Sequence, residues 1–450
     1  MKHIDNVHTL QELTAILNSK EKFDNELYLK YNVMRGLRDL NGAGVVTGLT
    51  DISDVVAKKT IDGVKVPCKG ELYYRSINVK DIINNDNTAR FKFEEVVYLL
   101  LFGKLPTEEQ LKDFCELLVE YRKLPRNFVK DVVLKAPSKD IMNSLSRSVL
   151  TFASYDHNAN DISISNVLEQ CLKLISLLPL FSVYGYQAHM HYNKNDSLVI
   201  HKSDDKLSLA ENLLYLLRKD GKFTELEAKV TDVALILHAE HGGGNNSTFS
   251  TRVVTSTGTD TYSAITAGLC SLKGPRHGGA NIKVMQMMED IKHNVRRWKD
   301  EGSLKDYLSK MLNGEVFDKA GLIYGMGHAV YSISDPRAEV FEGYVERLSE
   351  EKGKHKEFEL YKSVERISKE LIMEKRKIYK GVSANVDFFS GFAYTMLGLP
   401  VELYTPMFAI ARTAGWSAHR IEELQSASKI IRPAYVSLND RKEYIPRKDR

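Results

Sequence analysis

Several residues stand where proton transfer and anion binding would need them. His277 lies in Leu272-Lys-Gly-Pro-Arg-His-Gly-Gly-Ala-Asn-Ile282, where a proline turn leads into a new helix and two glycines open the backbone. The positive end of a helix dipole disfavours imidazolium, so His277 is expected to stay neutral and donate to a developing oxyanion. His328 follows a glycine turn in Gly325-Met-Gly-His-Ala-Val-Tyr331, whose exposed amides and carbonyls suit the flat face of a base or a phosphate. Asp387 stands between Val386 and Phe388, an apolar setting that raises carboxylate basicity and suits proton abstraction. An aspartate capping the helix through Phe392 would read the same way.

Two further segments supply candidates for anion binding. Val230, Val233, Ala234 and Leu237 share one helical face, and His241 extends that stripe before Gly242–Gly244 stops the helix. His238, one turn earlier, is placed to pair with His241. Two histidines capping a helix C-terminus fit this pattern equally, and H-x-x-H is a weak zinc signal without a third ligand nearby. Arg412 interrupts the apolar run Pro406–Trp416. A buried guanidinium needs an anion, which is either a substrate carboxylate held in a fork or an internal ion pair. Arg337, in Asp335-Pro-Arg337, adds a second cation close to His328.

The elements that position these residues are mostly helical. The run from Phe93 to Phe102 predicts a helix stopped by Gly103, and Thr107-Glu-Glu-Gln110 and Ser208-Leu-Ala-Glu211 are capping boxes opening two more. Between Val345 and Lys380 the charge-rich sequence keeps an apolar stripe (Phe358, Leu360, Val364, Ile367, Leu371), so the charges form a solvated face. Val64–Val66 and Leu72–Ile77, separated by Lys69-Gly70, predict a small hairpin. The expected fold class is mainly α, with a small β hairpin near the N-terminus.

The 450 residues are enough for two domains, and 43% hydrophobic with 27% charged residues is ordinary for a globular protein. With 63 basic against 59 acidic residues the net charge is only +4, which gives no support for a nucleic-acid-binding protein. Met1-Lys-His-Ile-Asp-Asn6 shows no signal or transit pattern, and no uninterrupted apolar run approaches a membrane span. Cys68, Cys115, Cys171 and Cys270 lie far apart and read as reduced core thiols. The expectation is a cytoplasmic protein with no membrane partner.

Taken together, these segments resemble the citrate synthase family. The resemblance runs from Arg35-Gly-Leu-Arg-Asp-Leu-Asn-Gly42 and Gly70-Glu-Leu-Tyr-Tyr-Arg75, through His238 to Asn281, to Arg432-Pro433. It implies a two-domain helical homodimer whose cleft binds oxaloacetate and acetyl-CoA, with no metal and no redox cofactor. The implied divisions are residues 1–276 (large domain), 277–384 (small domain on the CoA side) and 385–450 (return to the large domain and C-terminal arm). By the same resemblance Asp387 is the base that removes a methyl proton from acetyl-CoA. His277 stabilises the enol, and His328 protonates the keto oxygen of oxaloacetate. His241, Arg337 and Arg412 hold the dicarboxylate, Arg432 reaches in from the partner subunit, and Gly325, Met326 and Gly327 receive the adenine end of CoA. Arg276, Thr261 and Ala384 depart from the family's usual residues without removing a reacting group. Three alternatives stay open: a 2-methylcitrate synthase using propionyl-CoA, a non-catalytic CoA- or dicarboxylate-binding regulator, and a zinc hydrolase using His238, His241 and His277.

Overall fold

Apolar residues at helical spacing become helices along almost the whole chain. The computed structural model describes residues 5–19, 23–39, 43–85, 89–328, 330–376, 381–426 and 429–449. It divides into two compact units, residues 50–431 and residues 1–49 with 432–450. The larger unit is mainly helical with a single three-stranded sheet among the described residues.

Local signals explain where its helices begin and end. Lys92–Phe102 closes at Gly103, whose φ of 78° is the left-handed turn that glycine adopts without strain. Thr107 and Gln110 exchange both capping-box hydrogen bonds, as do Ser208 and Glu211. In His355–Arg376 the stripe Phe358, Leu360, Val364, Ile367 and Leu371 is buried. The 31-residue Ile164–Lys194 runs through the core. It is apolar and long enough by composition to cross a membrane, which the absence of an unbroken apolar run had hidden, but 83% of its apolar window is buried inside the protein.

The hairpin differs from expectation in its turn. Strand β1 (Ser53–Ile61) pairs antiparallel with β2 (Val64–Tyr74) around Asp62-Gly63, and β3 (Ile77–Asn78) adds to β2. Val64–Val66 and Leu72–Tyr74 therefore belong to one strand, with Lys69-Gly70 inside it. Asp62 and Gly63 both have positive φ, 49° and 78°, the Asp-Gly geometry that matches strand twist. Gly70 is instead a contact point. A Cβ there would lie 2.2 Å from the Ser334 carbonyl oxygen and 2.6 Å from the Tyr331 ring, so only glycine lets β2 meet the loop carrying His328.

A second close approach sets two helices that carry candidate residues against each other. Ala280–Asn294 packs on Val386–Met396 at Gly391, where a Cβ would stand 2.6 Å from Met285 and 3.1 Å from the Asn281 carbonyl oxygen. The cysteines are all free, but only Cys171 is buried; Cys68 and Cys115 are half-buried and Cys270 is exposed, so the core reading holds for one of four. The smaller unit contains the helices Asp5–Asn18 and Asn25–Lys30. None of its residues whose burial is described is buried.

Candidate active site

Asp387 occupies the first turn of Val386–Met396. It does not cap that helix: the cap is Asn385, whose Oδ1 accepts from the Asp387 amide at 3.0 Å. The same Asn385 donates from Nδ2 to the Gly327 carbonyl (3.0 Å) and from its amide to the Gly325 carbonyl (2.9 Å), while the Gly327 amide donates to Ser383. One short segment thus ties Asp387 to the Gly325–Met326–Gly327 turn. Gly325 is required there: its φ is 77°, and a Cβ would fall 2.8 Å from Val284 and 2.9 Å from Phe388. With its capping duty taken by Asn385, the Asp387 carboxylate has no hydrogen bond or ion pair among the described residues. Burial raises its pKa to about 6, against the opposing pull of Arg337.

His328 is oriented by its own loop. Its Nδ1 accepts from the amides of Val330 (3.0 Å) and Tyr331 (3.1 Å). Amides can only donate, so the neutral ring carries its proton on Nε2. Burial, then the Arg337 charge, lowers its pKa to about 4, which keeps the ring neutral at physiological pH. Arg337 Nη2 lies 3.2 Å from that same Nε2. Two donors face each other there, a conflict that an acceptor oxygen placed between them would relieve. Arg337 is itself held in a fork by Asp335, with Nε at 3.0 Å and Nη2 at 2.8 Å from the two oxygens. Burial alone would lower its pKa, but the Asp335 charge holds it up.

His241 is not on a helix. Glu225–His238 ends three residues earlier, and the following turn turns the His241 ring toward His328 and Tyr331, 5.3 and 5.5 Å away between centroids. Its Nε2 is buried without a partner. Burial, Arg337 and His328 together hold its pKa well below the ordinary histidine range. His238 does not pair with it. That ring stacks on Phe408 at 3.6 Å and bonds the Tyr394 hydroxyl at 2.9 Å. Among the described residues no group of three or more His, Cys, Asp or Glu is arranged to hold a metal.

Arg412 is buried in the middle of Tyr404–Ser426. Its Nε donates to the His238 carbonyl at 2.7 Å, and its Nη1 has no partner. A buried, unsatisfied guanidinium nitrogen is costly unless an anion completes it. The Arg412 charge is felt by His241, His277 and Asp387, so it lies within electrostatic reach of all three.

His277 precedes Ala280–Asn294, in the turn before its Gly279 cap. Its Nε2 lies 3.1 Å from Ser247 Oγ, which also accepts from Trp416 Nε1 at 3.3 Å. The Ser247 hydroxyl has one proton for two neighbours, Asn245 Oδ1 at 2.9 Å and His277 Nε2, so it fixes the place of the ring rather than its tautomer. Burial, then Arg412, lowers its pKa to about 4. Gly278 admits the turn, since a Cβ would stand 2.3 Å from the Leu272 carbonyl oxygen.

Among the sequence candidates, His241, His328 and Arg337 are direct neighbours, and His277 and Asp387 lie within electrostatic reach of Arg412, all six in the larger unit. Beside it, a cavity of about 240 Å³ is lined by Met326, Gly327, His328, Tyr331 and Arg376. Arg432 is exposed and belongs to the smaller unit. Sequence reasoning missed Ser247, Asp335 and Tyr331 as the partners of the candidate residues. For Asp335 a signal existed in its spacing from Arg337; for Ser247, 30 residues from His277, none did.

A family model described as "Citrate synthase, C-terminal domain" matches residues 39–434. The chain belongs to the citrate synthase family. It is a transferase of the acyltransferase type. A citrate synthase of Haloferax volcanii is 35% identical over 81% of this chain and 88% of its own length. A 2-methylcitrate synthase of Corynebacterium glutamicum is 33% identical over 90% and 97%. Among solved structures, the citrate synthase of Thermoplasma acidophilum, in ternary complex with carboxymethyl coenzyme A and oxaloacetate, is 30% identical. It has a TM-score of 0.75 and covers 92% of this chain and 98% of that one.

Proposed function

We propose that this member of the citrate synthase family condenses acetyl-CoA with oxaloacetate and hydrolyses the citryl-CoA formed. The observation that carries the reading is an unpartnered, half-buried carboxylate, Asp387, within electrostatic reach of two buried arginines, Arg337 and Arg412, that also act on the neutral His328 and His277. Asp387 takes a proton from the methyl group of the thioester. His277, a neutral ring, donates to the thioester oxygen as the enol forms, because a carboxylate alone is too weak a base for a thioester α-proton. The enol carbon attacks the keto carbon of oxaloacetate, and the displaced π electrons move to the keto oxygen. That oxygen lies between His328 Nε2, which protonates it, and Arg337. Arg337 and Arg412 hold the two carboxylates, with His241 as a neutral hydrogen-bonding partner. Water then cleaves the citryl thioester and releases CoA. The Gly325–Met326–Gly327 turn and its neighbouring cavity would receive the adenine end.

Residues 277–384 act in this reading as the small domain that closes over the cleft and excludes water before the enol forms. The chain works as a cytoplasmic homodimer in which Arg432 completes the partner's site, and no metal or redox cofactor enters the steps. The second reading, 2-methylcitrate synthesis from propionyl-CoA, is favoured by relatives of that name at 33–34% identity. One methylene is worth only about 1–3 kcal/mol of discrimination, so a few pocket contacts decide between them. The test is release of CoA thiol from purified protein given oxaloacetate with acetyl-CoA or with propionyl-CoA. A higher kcat/KM for acetyl-CoA supports the first reading; a higher value for propionyl-CoA supports the second. No release with either ends both.

A further inference from the structure

We propose that Glu240 and His419 are positioning residues that hold the dicarboxylate pocket in shape, with Arg252 as their anchor. The inference rests on the reading that His241 and Arg412 grip a dicarboxylate. Glu240 immediately precedes His241 and is fully buried. Burial alone would raise its pKa, yet His419 and Arg412 bring it down to about 2, so it carries its charge. Its Oε1 accepts three hydrogen bonds: from the Gly242 amide at 2.6 Å, from Ser53 Oγ of β1 at 2.9 Å and from His419 Nε2 at 3.0 Å. The turn that aims His241 is therefore wrapped around one carboxylate oxygen. Its other oxygen, Oε2, has no partner, and neither does Arg412 Nη1. Glu240 is the largest favourable charge acting on Arg412, although no ion pair joins the two. Arg412 is thus balanced electrically while its Nη1 stays free for a ligand carboxylate.

The orientation of His419 follows from its other contact. Arg252 Nη1 donates to His419 Nδ1 at 2.7 Å, which leaves Nε2 as the nitrogen that donates to Glu240. Arg252 is fixed by Glu422 at 2.6 Å and Glu423 at 3.0 Å. The helix backbone is shaped for this arrangement. At Gly415, on the same helix as Arg412 and His419, a Cβ would stand 2.2 Å from Glu240 Oε2 and 2.5 Å from the Ala239 carbonyl oxygen.

The test compares wild type with Glu240→Gln, His419→Ala and His419→Gln, varying oxaloacetate and acetyl-CoA separately. Absence of wild-type turnover would end the proposed function itself. Given turnover, Glu240→Gln should raise KM for oxaloacetate about tenfold or more, and KM for acetyl-CoA less than about twofold. His419→Ala should shift oxaloacetate KM the same way. His419→Gln should return it to within about threefold of wild type, because an amide can donate to Glu240 and accept from Arg252. An unchanged oxaloacetate KM in folded Glu240→Gln overturns the proposal. So does an equal loss for both substrates, which marks general structural damage. Should Glu240→Gln fail to fold, the two His419 variants decide: equal behaviour of Ala and Gln overturns it.

Discussion

Asp387, His277 and His328 are separated in their titration by burial acting on opposite kinds of charge. Burial raises the carboxyl to about 6 and lowers both imidazoles to about 4. Between those values and neutrality the histidines remain neutral donors while the base loses its proton. The expected kcat/KM profile therefore falls below pH 6 with a slope of one, and the histidines contribute no step until near pH 4. A plateau that extends unbroken to pH 5 would count against Asp387 as the base. The same shift has a cost in stability. A carboxyl with its folded pKa raised favours folding fully at low pH, and loses that contribution as pH rises through about 6. Asp387→Asn removes the ionised group, so it should lower kcat by roughly 10²–10⁴-fold. It should also stabilise the protein at pH 8 by about 1–2 kcal/mol, a figure reduced because the residue keeps some contact with the cleft. Denaturant melts of both proteins should converge as pH falls toward 4.

At the scale of elements, the reacting groups depend on contacts that join distant segments. Gly70 brings β2 against the loop of His328, and the Gly70 amide reaches Ser334 Oγ at 3.3 Å. Gly70→Ala pushes a methyl group into the Ser334 carbonyl and the Tyr331 ring. Displacing that loop disturbs the amides of Val330 and Tyr331 that fix the His328 tautomer. The expected outcome is a destabilisation of about 1–3 kcal/mol and a fall in kcat larger than the fall in binding of acetyl-CoA. Normal kcat in a folded Gly70→Ala protein would show that the hairpin does not support His328. This element also marks what could be read from sequence. Helix starts were legible at Thr107 and Ser208 because a capping box is a local contest between side chain and backbone. The role of Gly70 was not, since a glycine placed for a partner 264 residues away leaves the same letter as a turn. His241 was expected to extend the helix's apolar stripe, but the helix stops at His238 and His241 lies in the turn after it. The residue types of the site were legible in short glycine-flanked motifs; Ser247, Glu240 and His419, which orient them, act across the fold and were not.

At the scale of the whole molecule, the smaller unit has too little core to stand uncovered. In Asp5–Asn18, Leu10, Leu13, Ile16 and Leu17 are each more than half exposed, and Tyr435 and Tyr444 are at least 80% exposed. An apolar surface of that extent fits a contact with another protein surface, and the proposed homodimer would supply one. The proposed exchange of Arg432 between subunits makes this testable by complementation. Arg432→Ala alone should raise KM for oxaloacetate, and Asp387→Asn alone should be nearly inactive. In a mixed dimer, the site built on the Arg432→Ala subunit keeps its Asp387 and receives an intact Arg432 from its neighbour. Random re-pairing of equal amounts makes half of the dimers mixed, with one competent site in each. Roughly a quarter of wild-type activity should then appear at low oxaloacetate, where the Arg432→Ala parent contributes little. Activity no higher than the average of the two parents would place Arg432 in its own subunit's site, or in none.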